Sequence, residues 1–143
     1  MFNTAHFHPM IVHFPIALIT AGFLADVIFL FFKSEKCLSK TGFYLMVIGA
    51  LAAVAAWSTG QLFTSEPVDG EIVKIFERHE TGALVTMIVM LIGAIIRVYL
   101  VVKKKEETQL KWLVFTIYLI GFVAVTFTGF MGGTMVYDFM MSL

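Results

Sequence analysis

Four histidines, His6, His8, His13 and His79, are the side chains of this chain best suited to hold a metal or move a proton. Two of them interrupt an apolar run, His8-Pro9-Met10-Ile11-Val12-His13-Phe14-Pro15-Ile16-Ala17-Leu18. An ionisable group in such a run is costly, so by default it marks a functional site. His79 stands between carboxylates in Glu77-Arg78-His79-Glu80-Thr81-Gly82. Imidazole and carboxylate suit zinc, iron or copper, so His8, His13, His79, Glu77 and Glu80 form a candidate metal-ligating set. Two histidines from different helices can also hold a haem iron between them. His13 with His79 is the first choice of pair, and His8 takes the place of His13 if the prolines turn it away. On a regular helix His8 and His13 point about 140° apart, so one haem would not take both. Met10, Met131 and Met135 offer thioether sulfurs as further axial ligands. Gly82, one turn beyond His79, would leave room for the bound group, as would Gly129 and Gly133. His6 precedes the helix and is expected to be exposed.

The elements that position these residues follow from composition. The chain has 143 residues, of which 59% are hydrophobic and 14% charged. Soluble domains carry roughly 45–50% apolar and about 25% charged residues, so this is a membrane protein by composition. The net charge is zero, which gives no footprint for nucleic acid. Cys37 is the single cysteine, so an internal disulfide is excluded, as are C-x-x-C and paired Cys/His zinc signatures. Residues Met1 to Ala5 carry no Lys or Arg ahead of a short apolar core and do not read as a removable signal peptide.

A helix needs about 20 apolar residues to cross the hydrocarbon core. Four stretches qualify: Pro9 to Phe32, Gly42 to Phe63, Glu80 to Val102 and Trp112 to Tyr137. Short connections make successive helices antiparallel neighbours, so the expected fold is all-α, a single up-down four-helix membrane bundle over residues 1–143. The first helix starts either at Pro9, with a kink at Pro15, or at Pro15 after an irregular segment. Lys33, Lys36 and Lys40 lie in the first loop and Lys103, Lys104, Lys105 and Lys111 in the third. Basic loops stay cytoplasmic, which places both termini, the second loop and every histidine outside. For a bacterial chain that is the periplasmic side of the inner membrane.

Small residues recur at helical spacing: Gly49, Ala53, Ala56 and Gly60; Gly82, Thr86 and Gly93; Thr126, Gly129 and Gly133. Such stripes let membrane helices pack closely. Asp26 and Arg97 fall at similar depth before the basic loops, and a charge at that depth wants a partner, so an intramembrane ion pair is expected.

These motifs resemble a bacterial family of membrane proteins, domain of unknown function 2231. The resemblance is carried by His8-Pro9, Val12-His13-Phe14-Pro15-Ile16-Ala17-Leu18, Asp26, Glu77-Arg78-His79-Glu80-Thr81-Gly82 and Gly132-Gly133-Thr134-Met135-Val136-Tyr137, over essentially the whole chain. Members of that family are sometimes joined to Rieske iron–sulfur or c-type cytochrome domains, which implies redox work on the outer face.

Three readings stand side by side. The first is a b-type haem protein passing electrons near the outer surface, for example from a quinol to a periplasmic redox protein. The second is a zinc, iron or copper site built from the His/Glu cluster. The third is a non-catalytic subunit or assembly factor whose histidines cap helix ends. The bilayer is the common partner, and a homo-oligomer is compatible with all three.

Overall fold

The structure, a computed structural model, describes residues 7–139. The reading of Met1 to Ala5 and the exposure expected of His6 lie outside the described residues. Four helices follow one another: α1 (Phe7–Phe31), α2 (Lys36–Phe63), α3 (Glu71–Val102) and α4 (Leu110–Tyr137). Each is long and apolar enough to cross a membrane. Even α1, with 25 residues, extends about 37 Å, more than the roughly 30 Å hydrocarbon core.

All four helices start earlier than apolar content alone predicts. α1 starts at Phe7, ahead of both Pro9 and Pro15, and α3 starts at Glu71 rather than Glu80. Pro9 falls in the first turn, where a missing N–H costs nothing. Pro15 lies inside α1, so the Ile11 carbonyl loses its helical donor. The start of α3 is set by Gly70, whose φ of 88° is a conformation open to glycine, so the chain turns sharply from loop to helix there. The first turns of α3 are polar, which a helix projecting beyond the hydrocarbon tolerates.

α1 packs chiefly against α2, and α3 against α4. The molecule is thus two antiparallel hairpins laid side by side. Its centre is a short apolar plug of Ile19, Met46, Ala50, Met90 and Tyr118, each at most 1% exposed. Apolar side chains also cover the outside: Phe14, Phe31, Ile95 and Phe130 are each more than 60% exposed. Helices apolar all round belong in lipid, not water.

Glycines set the helix approaches. A Cβ at Gly49 would lie 3.0 Å from Ile19 Cγ1, and one at Gly93 would lie 2.8 Å from Ile117 Cγ2. One at Gly42 would collide with the Asp26 carboxylate. That carboxylate forms a two-pronged pair with Arg97: Nη1 donates to Oδ2, and Nη2 donates to Oδ1 at 2.8 Å. Arg97 Nη2 also donates to the Ser39 carbonyl at 3.2 Å. The pair joins α1 to α3 at the end of the bundle that carries the lysine loops.

Candidate functional site

At the opposite end, which carries the α2–α3 loop, a cavity of about 440 Å³ opens between the two hairpins. His8, His13, His79 and Glu80 line it, with Gly129 and Gly133 on the α4 side. Most of the remaining wall is apolar, including Ile16, Ala53, Val125 and Met135.

His8 and His79 face each other across this space. Their ring centroids are 6.5 Å apart and the ring planes stand at 89°. Each ring is oriented by the helix next to it. His8 Nδ1 pairs with the Thr59 hydroxyl on α2 at 3.2 Å. That hydroxyl itself donates to the Ala55 and Ala56 carbonyls, both at 3.0 Å, so it has lone pairs left for an imidazole N–H. His79 Nδ1 donates to the Thr128 carbonyl on α4 at 2.9 Å. This carbonyl is the kind of partner that fixes a ligand histidine's tautomer and leaves Nε2 as the coordinating atom. Two glycines make the room: a Cβ at Gly60 would lie 3.1 Å from His8 Cε1, and one at Gly132 would lie 3.2 Å from His79 Cε1.

The structure thus brings His8, rather than His13, opposite His79. His13 is exposed at the rim, and its Nδ1 is 2.6 Å from the Pro9 carbonyl on its own helix.

Other expected members are dispersed. Glu77 is exposed and belongs, with Gly82, to a separate groove on the α3–α4 surface. A Cβ at Gly82 would lie 2.5 Å from Thr128 Oγ1, so Gly82 admits α4 to α3 rather than a cofactor to His79. Glu80 lines the cavity but does not orient His79. It accepts a hydrogen bond from Gln61 Nε2 at 2.6 Å, which ties α2 to α3 at the mouth. Among the described residues no three His, Cys, Asp or Glu side chains converge on a metal position. Met10 is 65% exposed and faces away, whereas Met135 is buried and lines the cavity.

Thr59, Gly60, Thr128 and Gly132 were not among the expected site residues. Thr59-Gly60 and the small residues of Thr128-Gly129 carry a signal only when placed opposite a histidine.

The chain matches the family model of a predicted membrane protein, DUF2231, over residues 4–142. It belongs to that family. As a DUF2231 protein it is a multi-pass membrane protein with four helices able to span the bilayer. Comparison with curated proteins and with solved structures gives no match.

Proposed function

We propose that this DUF2231 protein binds b-type haem in the cavity between its hairpins and carries electrons near the outer face of the bacterial inner membrane. The observation that carries this reading is the His8–His79 pair. Its rings come from different hairpins, and both Nδ1 atoms are engaged by neighbouring helices. His8 and His79 would hold the iron between them, one imidazole from each hairpin, with their rings 6.5 Å apart. A bare ion does not need an apolar cavity of about 440 Å³, whereas a ring-shaped cofactor does.

Bound there, haem would supply one-electron chemistry. The protein's part is to hold the iron from both sides and to keep the ring in an apolar wall, two of the levers that set a haem potential. With the histidine end outside, as the lysine loops favour, a quinol in the membrane and a soluble periplasmic redox protein are the fitting donor and acceptor classes.

Purified protein supplied with haem should be red, with a Soret band and a low-spin spectrum, and His8→Ala or His79→Ala should abolish the low-spin form. Protein that stays colourless with saturating haem would end this reading.

A second reading has its own support. Glu66 and Glu80 line the mouth, and among the described residues no Lys or Arg does. An acidic mouth attracts cations, which favours a copper, zinc or iron ion shared by His8 and His79. Elemental analysis of colourless protein distinguishes it.

A further inference from the structure

The two hairpins correspond residue by residue. Asp26 and Arg97 are 71 positions apart in sequence. The same offset relates His8 to His79, Ile19 to Met90 and Gly22 to Gly93. On the second helix of each hairpin the offset is one residue longer, and it relates Leu45 to Ile117, Met46 to Tyr118, Gly49 to Gly121, Ala53 to Val125 and Gly60 to Gly132.

The contacts obey the same correspondence. Gly60 makes room for His8, and its counterpart Gly132 makes room for His79. Gly49 packs on Ile19, and Gly121 packs on Met90. Gly22 faces Leu45 of its own hairpin and Tyr118 of the other; Gly93 faces Ile117 of its own hairpin and Met46 of the other. Each of these contacts is converted into its partner by exchanging the hairpins, whereas the Thr59 hydroxyl that holds His8 has Met131 as its counterpart. That exchange rule is the property of a two-fold axis running along the bundle, with α1 and α3 parallel across it.

Two pairs join α1 to α3 across this axis. His8 with His79 lies at one end and Asp26 with Arg97 at the other. We propose that the hairpins are quasi-equivalent halves and that the cavity's ligand sits on their axis, taking one equivalent imidazole from each half. The ligand must then offer two opposed coordination positions, as a metal-centred macrocycle does. The identity of the ligand rests on the haem reading; the equivalence of the halves does not.

The correspondence also shows which residues lie outside the symmetric set. His13 corresponds to Leu84, so the second half has no counterpart imidazole. Glu80 corresponds to Pro9, and Gln61 to Gly133. One side of the mouth is therefore closed by the Gln61–Glu80 hydrogen bond. Among the described residues the other side is bare, since a Cβ at Gly133 would meet nothing within 4 Å. The bulk of the ligand belongs on the Gly133 side.

Two measurements on the full chain in detergent test this. The first needs no ligand: melting of Asp26→Arg, Arg97→Asp and the variant carrying both. Either single change places like charges on the axis and should lower the midpoint sharply or prevent folding. The double change exchanges equivalent positions and should melt above both. A double variant no more stable than the worse single one overturns the equivalence. The second is titration with hemin. His8→Ala and His79→Ala should weaken binding by the same factor, within about threefold, and added imidazole should restore the low-spin spectrum in both. Gly133→Phe should block uptake while leaving the melting unchanged. Loss in only one histidine variant overturns the shared ligation. Failure of the unaltered protein to take up hemin removes the haem reading alone, and the charge exchange still decides the two-fold arrangement.

Discussion

At the scale of single residues, the candidate site depends on what holds each imidazole. The Thr59 hydroxyl is the only side chain hydrogen-bonded to His8 among the described residues. Changes to groups that orient a metal ligand typically cost 10–100-fold in affinity. Thr59→Val should therefore weaken haem binding by about that range without abolishing it, as read by hemin titration. His13→Ala should leave binding within about threefold of the unaltered protein, because His13 is engaged with the Pro9 carbonyl at the rim. Tyr118 offers a different test. Its ring is fully buried, and its hydroxyl has no hydrogen-bond partner among the described residues. An unsatisfied buried hydroxyl costs roughly 1–3 kcal/mol. Tyr118→Phe should thus melt no lower than the unaltered protein, whereas a marked loss of stability would show that the hydroxyl is satisfied after all.

At the scale of helices, the tie between α1 and α3 at the lysine end is the Asp26–Arg97 pair. Both side chains are nearly out of contact with solvent, at 11% and 13% exposure. Removing one partner of such a pair strands the other and typically costs about 3–5 kcal/mol, while replacing both with apolar residues is far milder. Arg97→Leu should therefore lower the melting midpoint more than Asp26→Leu with Arg97→Leu together. Equal losses would mean the two groups do not share a free energy. This pair was legible in the sequence because depth before a basic loop is a one-dimensional quantity. The helix count and the up-down order were legible for the same reason: length and hydropathy suffice for them. The partner of His79 was not. Choosing His8 over His13 required the rotation of α1 about its axis, and hydropathy says nothing about rotation when a helix is apolar on every side. Glu77 and Gly82 lie apart from the cavity on the same ground, since neighbours in sequence around His79 point to a different surface. The internal correspondence was present in the sequence, but its identical pairs are few and only the shared contacts make them compelling.

At the scale of the whole molecule, the charges at the two ends bear on which side of the membrane the cavity faces. Lys33, Lys36, Lys40, Lys103, Lys104, Lys105 and Lys111 gather at one end. The other end carries Lys74 and Arg78 among Glu66, Asp69, Glu71 and Glu77. Basic residues near membrane-spanning ends are retained in the cytoplasm, so the cavity should open outward. The molecule contains its own reporter. Cys37 is exposed near the start of α2, among the lysines. Val68, 97% exposed in the α2–α3 loop, lies at the cavity end. In intact cells a membrane-impermeant thiol reagent should leave Cys37 unlabelled until the membrane is opened. In a Cys37→Ser background, Val68→Cys should be labelled at once. The reverse pattern would place the histidines on the cytoplasmic side, where a soluble periplasmic acceptor could not reach them. The proposed haem site would then have to exchange electrons with a cytoplasmic partner.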